Sequence, residues 1–153
     1  MTFPNIFSKD VSDRLIERIN RLTPATTPQW GKMQVDQMLA HCNVAYEFVY
    51  ESDKFEKPGA VKKFFIKLFA KNIVVGDKPY KKNTRTAPEF MIEGARDFEK
   101  EKKRLIDHVQ KTQQLGENHF ANRESHSFGP LTINEWNTLF YKHLDHHLTQ
   151  FGV

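Results

Sequence analysis

Apolar residues recur every three or four positions in four long segments of this chain, which is the spacing of one face of an α-helix. These segments are predicted over Asp10–Leu22, Gln34–Tyr50, Glu89–Gln114 and from just after Leu131 to the C-terminus. A shorter segment of the same kind spans residues 60–75, and no segment alternates convincingly as a strand does. The pattern predicts an all-α fold, an antiparallel four-helix bundle with one additional short helix.

The chain has 153 residues, which fits a single helical-bundle domain over residues 1–153 with a core of its own. Cys42 is the only cysteine, so no internal disulfide can form, and with no signal-peptide pattern we expect a cytoplasmic protein. No apolar run approaches the roughly 18 residues of a membrane span. The net charge is +4, but without a recognition motif the lysine clusters indicate solvated helix faces and no nucleic-acid partner.

Three of the seven histidines fall within five residues near the C-terminus. They follow Thr132 and Glu135, whose spacing is typical of a capping box at the start of a helix. At about 100° per residue, His143 and His147 lie roughly 20° to either side of Trp136. The helix should therefore bury two histidines in the middle of its apolar stripe.

A metal ion would explain this position of the two histidines. Imidazoles four residues apart share one helix face, so both can reach the same ion. Burying them is unfavourable unless each has a partner, and a metal is a partner for both in their neutral forms. His41, the only histidine of the second segment, lies at the edge of its apolar face. The sequence thus predicts a divalent-metal site of His41, His143 and His147.

Simpler interpretations stay open for each residue. A lone helical histidine such as His41 is usually a packed core or boundary residue, and all three imidazoles could hydrogen-bond within a metal-free core. His146 is expected either on the helix surface or in contact with a metal ligand without binding the metal itself. His146 and Glu101 are the two candidates for a general base. The remaining expectations are His108 solvated, His119 in a loop, His126 at the rim of the site as a weak fourth-ligand option, and Cys42 as a small buried apolar residue.

The motifs "WGKMQVDQMLAHCN" and "EWNTLFYKHLDHHLTQFG" resemble those of the DinB / YfiT-like superfamily of metalloenzymes. More specifically, they resemble an uncharacterised branch that ends in "HLDHHLxQFG", over about residues 28–153. The resemblance implies a four-helix bundle whose divalent metal is held by one histidine of the second helix and two of the last, here His41, His143 and His147. Relatives often carry a small N-cap residue where this chain has Gln34.

Characterised members of that superfamily act with mycothiol, glutathione or bacillithiol. The resemblance implies a metal-dependent enzyme but carries over no assigned reaction for this branch. A thiol-dependent transferase and a hydrolase are the two reaction classes considered, with a small-molecule substrate and a low-molecular-weight thiol as a candidate partner. Zinc or nickel suits three imidazoles best, with iron or manganese left open. Three protein ligands leave a coordination position free, as in catalytic sites, and the basic loop 78–85 would attract an anionic substrate.

Other functional classes are weighed against this one. The alternative is a non-catalytic bundle that binds a small molecule or a partner, with the metal structural or absent. A membrane-surface role for the basic amphipathic segment 61–71 is set aside, because the core is expected to need its apolar face. The sequence leaves a homodimer open.

Overall fold

The computed structural model describes residues 3–121 and 123–153, so three positions of the predicted domain, 1, 2 and 122, lie outside it. The described chain forms the α-helices α1 (Lys9–Arg21), α2 (Val35–Tyr50), α3 (Ala60–Phe69), α4 (Lys71–Val75), α5 (Phe98–Phe120) and α6 (Ile133–Gln150). It also contains two 3-10 turns, Ser52–Lys54 and Pro88–Phe90, and a two-stranded antiparallel hairpin of β1 (Glu124–Ser125) and β2 (Gly129–Pro130). The prediction of a mostly helical fold is confirmed.

The core lies between α1, α2, α5 and α6, which pack against one another. At its centre Tyr46 stacks on Phe140 at a ring separation of 5.1 Å, and Phe140 stacks on Trp136 at 5.8 Å. Each large apolar side chain buried there contributes about 1.5–3 kcal/mol. No helix in the described ranges is both long and apolar enough to cross a membrane. The antiparallel order of a four-helix bundle stays a prediction.

The starts of α1 and α2 differ in their capping. Ser8 occupies the N-cap position of α1 and makes no side-chain capping hydrogen bond. Gln34 occupies the N-cap of α2, and its N–H donates to the side chain of Gln37 at 3.0 Å. A long amide side chain from the first turn thus satisfies an N–H that has no partner within the helix.

The predicted start of the third long segment at Glu89 is wrong, because α5 begins only at Phe98. Gly94 has a φ of +72°, a left-handed conformation that interrupts any helix there. Asp97 then caps α5, its carboxylate accepting from the N–H of Lys100 at 3.0 Å. The helix also continues beyond the predicted end, with a kink at Gly116, where φ is +67°.

Helix α3 is present as predicted, but its apolar face is not in the core. Phe64 and Phe69 are 62% and 65% exposed. The helix packs mainly on α4, and α4 packs on α6. An ion pair of 2.8 Å between Lys71 and Glu135 joins the two segments. The expectation that the core needs the apolar face of this segment is therefore wrong.

Lys102 lies on the inward stripe of α5, where the sequence gives no reason for a charge. Its ammonium donates to the carbonyl oxygens of Asn20 and Leu22, each at 3.0 Å. These carbonyls lie at the C-terminal end of α1, where orphan acceptors favour a cation. The lysine thus fastens the end of one helix to the side of another.

We expect the substitution Lys102→Met to lower the free energy of unfolding by about 1–2 kcal/mol, because hydrogen bonds from a charged donor to two carbonyls are lost. Lys103→Met is the matched control. Lys103 forms an exposed ion pair with Asp107, so its loss should cost under about 0.5 kcal/mol. Urea unfolding measures both, and equal destabilisation would contradict the capping role.

Candidate metal centre

Helix α6 supplies two imidazoles to one face. The helix starts at a capping box, in which Thr132 Oγ1 accepts from the N–H of Glu135 at 3.2 Å and the Glu135 carboxylate accepts from the N–H of Thr132 at 2.8 Å. The helical repeat then places His143 and His147 one turn apart on the same face, with their rings edge-to-face and their centroids 4.9 Å from each other. The predicted capping box is confirmed.

Helix α2 brings the third imidazole from the other side. His41 Nε2 lies 3.0 Å from His143 Nε2, and the His41 ring centroid lies 4.5 Å from that of His147. One nitrogen of each residue lies within 4.8 Å of the others. The three predicted histidines are therefore close enough to hold one metal ion, and no other cluster of this kind occurs in residues 3–121 and 123–153.

The outer nitrogens of two rings are fixed by hydrogen bonds. His41 Nδ1–H donates to the carbonyl oxygen of Phe90 at 2.9 Å, and His147 Nδ1–H donates to Gln150 Oε1 at 2.8 Å. A neutral imidazole carries a single N–H, so in both residues Nε2 presents its lone pair to the site. Metal-ligating histidines characteristically use their second nitrogen in this way.

Gln150 is itself held by the loop before α2. Its Nε2 donates to the carbonyl oxygen of Trp30 at 2.7 Å. The next residue, Gly31, has a φ of +85°, and a Cβ there would lie 2.8 Å from Gln150 Nε2. A larger residue at Gly31 would displace the amide that orients His147.

Burial keeps all three imidazoles neutral. Loss of hydration lowers the pKa of His41 and lowers that of His147 to about 3, and the pKa of His143 falls well below 6.5 from burial and from the other two histidines. At neutral pH none carries a proton that a metal ion must displace. The donor set therefore fits a divalent ion of the kind that imidazoles bind.

The three imidazoles lie in the wall of a pocket of about 880 Å³. Apolar side chains form most of the surroundings, among them Met33, Phe48, Phe90 and Leu139. Two residues of the predicted basic loop, Lys81 and Arg85, also line it. A pocket of this size accommodates a small-molecule ligand.

Lys142 holds the α4 side of this pocket in place. Its buried ammonium donates to the carbonyl oxygens of Ile73, Gly76 and Lys78 at 2.8, 2.6 and 3.2 Å. It also lies 4.7 Å from the ring centroid of Tyr80. Burial lowers the pKa of Lys142 to about 8. Lys142, which directly precedes the candidate ligand His143, thus binds the free carbonyls at the C-terminal end of α4.

The two residues predicted to support the site differ in position. His146 lines the pocket, with its ring centroid 5.8 Å from that of Trp30 and 5.1 Å from that of His147. Glu101 is buried between α2 and α5, where it accepts from Asn43 Nδ2 and from Arg104, each at 2.8 Å. The structure thus brings His146 to the site and gives Glu101 partners in a different network.

Three other expectations have clear outcomes. The prediction that His108 is solvated is wrong, because its ring stacks on Tyr46 at 5.2 Å and its Nδ1–H donates to Asn43 Oδ1 at 3.0 Å. His126 lines the pocket as expected of a rim residue and is not part of the histidine cluster. Cys42 is buried, which raises the pKa of its thiol.

Two functional contacts were missed from the sequence. Gln150 follows His147 by three residues, a helical spacing that brings side chains together, so the sequence contained that signal. The carbonyl of Phe90 carried no such signal, because any residue offers a backbone carbonyl and only the path of the chain brings this one to His41.

The comparisons with known proteins give a family without an assigned function. A family model described as "Protein of unknown function (DUF1569)" matches residues 7–152. No curated protein and no solved structure shows a significant match. The resemblance to the DinB / YfiT-like superfamily therefore stays a prediction.

We expect the purified wild-type protein to bind about one zinc or nickel ion per chain, and the His143→Ala/His147→Ala variant to bind none, because a single imidazole is left. Elemental analysis after incubation with each metal measures this. Gln150→Leu should weaken binding about 10- to 100-fold by freeing the His147 ring. His119→Gln, an exposed histidine outside the cluster, is the control, and metal retained by the double variant would contradict the site.

The metal-free protein should lose stability as the pH falls below about 6.5. The folded-state pKa of His147 is lowered from 6.5 to about 3, so the unfolded chain takes up a proton that the folded chain refuses. Stability is thus present above pH 6.5 and is lost towards pH 3, by about 1.4 kcal/mol per pH unit for each such histidine.

His147→Leu should make the free energy of unfolding less dependent on pH between pH 7 and 5. The difference should approach the contribution of one proton, about 1.4 kcal/mol per pH unit. Urea unfolding with a chelator present measures both profiles, and carboxylates titrate equally in both proteins. Parallel profiles would show that His147 is not buried in its neutral form.

Proposed function

Since this chain belongs to the DUF1569 family, a family of unknown function, we propose from its own geometry that it is a metal-dependent enzyme acting on a small molecule. One observation carries the proposal: three neutral imidazoles converge in the wall of a pocket of about 880 Å³. Structural metal sites are closed by four protein ligands, whereas catalytic sites keep one position open. Here the protein supplies three ligands, and the pocket supplies the space for a substrate.

His41, His143 and His147 would hold the ion through Nε2. The 3.0 Å between two of these atoms is close to the separation of about 3.3 Å expected for two nitrogens on a tetrahedral ion with bonds of 2.0–2.1 Å. Zinc or nickel is the proposed ion, and iron or manganese would bind the same donors where supply favours it. When bound, the ion would supply a Lewis acid that lowers the pKa of a thiol or water.

Thiol-dependent transfer is the reaction class that we favour over hydrolysis. The imidazole cluster contains no carboxylate, although Glu56, Glu89 and Glu93 line the wider pocket. A thiol has an ordinary pKa of about 8.5, against about 15.7 for water, so a metal ion makes it a nucleophile with less help from a general base. A low-molecular-weight thiol is therefore the proposed co-substrate.

His146 is the proposed acceptor of the thiol proton. It lines the pocket next to His147, and burial lowers its pKa below 6.5, so the ring is neutral at pH 7 and can accept a proton. Lys81 and Arg85 at the wall would attract an anionic group of the substrate. Residence in the cytoplasm, where low-molecular-weight thiols are abundant, is part of the same proposal.

We expect metal-dependent conjugation of glutathione, mycothiol or bacillithiol to small electrophiles in a screen with zinc, nickel and manganese. His143→Ala should reduce turnover at least 100-fold by disrupting the ligand set. His146→Gln should lower it about 100-fold with metal content unchanged, because only the proton acceptor is lost. His119→Gln is the control.

The results separate the proposal from its alternatives. Turnover that survives in His143→Ala would contradict a catalytic metal. Hydrolysis of esters or amides in place of conjugation would contradict the thiol step alone. Stoichiometric metal without turnover, together with a lower melting temperature after chelation, would assign the ion to a non-catalytic binding bundle.

A further inference from the structure

The outward face of α3 is an apolar surface that the proposed enzyme does not use. Large side chains exposed by half or more follow one another along α3 and α4: Val61, Phe64, Phe65, Leu68, Phe69 and Ile73. Phe65 stacks with Phe69 at 6.2 Å and meets Phe64 edge-on at 5.7 Å. Single exposed apolar residues are ordinary, but a contiguous patch of this kind marks a binding surface.

The charge of the same segment indicates the partner. Residues 57–76 contain five lysines and no aspartate or glutamate, and one of the five, Lys71, is paired with Glu135 of α6. At about 100° per residue, Lys63 and Lys67 lie about 140° and 100° from Leu68, along one edge of the exposed apolar face. An apolar face with lysines along its edge is typical of a helix that lies in the interface of an anionic membrane.

We propose that α3 docks the protein on an anionic lipid surface, with Phe64, Phe65 and Leu68 entering the boundary between headgroups and acyl chains. The long lysine side chains would reach the phosphates while the rings enter the apolar layer. A second copy of this chain fits less well, because pairing the two faces would bring two basic segments together.

The opposite side of the same segment faces the imidazole pocket. Ile66, Ala70 and Val74 line it, with Ile73 at the border between the pocket and the exposed face. A docked α3 would place one wall of the pocket against the acyl layer, so an apolar substrate dissolved in the membrane would have a short way in. This last step rests on the proposed function, whereas the docking itself does not.

Flotation with vesicles tests the docking. We expect the wild-type protein to float at low salt with phosphatidylcholine vesicles that contain about 30% phosphatidylglycerol, and to bind pure phosphatidylcholine far more weakly. Phe65→Ser/Leu68→Ser should reduce the partition coefficient at least tenfold. Lys63→Gln/Lys67→Gln should reduce it about 25-fold, at about fivefold per lysine.

Lys100→Gln/Lys103→Gln on α5 is the charge-matched control and should bind like the wild type, apart from the small loss due to net charge. The replaced residues of α3 lie outside the core, and equal melting temperatures would confirm intact folding of each variant. His143→Ala/His147→Ala should float normally, which separates a failure of docking from a failure of the metal site.

Three outcomes would overturn the proposal. The first is that the wild-type protein fails to float with anionic vesicles. The second is that both α3 variants float as well as the wild type. The third is a dimer in light scattering that Phe65→Ser/Leu68→Ser dissolves while flotation persists, which would assign the face to a second copy.

Discussion

The burial of three imidazoles between α2 and α6 is the constraint on which the candidate metal site and the elements around it depend. Each ring gives up its hydration, which costs free energy unless its nitrogens find partners. The partner of His41 is the carbonyl of Phe90, which is distant in the chain, and the partner of His147 is Gln150, three residues later on the same helix. The turn at 88–90 and the end of α6 are therefore positioned together with the site.

The loop before α2 is drawn into the same arrangement. Gln150 donates to Trp30 through its side chain and accepts from the N–H of Gln29 through its carbonyl at 2.8 Å. Gly31 can lie against the amide only because it lacks a Cβ. The residue that orients the His147 ring, Gln150, therefore also holds this loop in place as the pocket wall next to His147.

The periodicity of apolar residues predicted the features that depend on a single helix. It failed where another part of the chain determines which face is covered or where a helix begins. The inward position of His143 and His147 follows from their phase relative to Trp136, and the structure agrees. The same reasoning placed the apolar face of α3 in the core, because a stripe indicates a face but not what covers it. The start of α5 was misjudged because Met91 and Ala95 continue the phase of the stripe, whereas the left-handed Gly94 separates them from the helix. Asp97, directly before the apolar Phe98, was a capping signal that the stripe obscured.

The lysines of this chain differ in what they bind. Lys102 and Lys142 point inward and donate to backbone carbonyls at or just beyond the C-terminal ends of α1 and α4. Their charge is used by the fold, so a basic isoelectric point is a poor guide to a nucleic-acid partner in this chain. Lys71 at the start of α4 is paired with Glu135, but the lysines of α3 itself lie in a stretch, residues 57–76, that contains no carboxylate. Lys142 connects the two groups: it directly precedes the candidate ligand His143 on α6 and donates to carbonyls at the end of α4, so the basic, apolar segment is anchored directly beside the imidazole site.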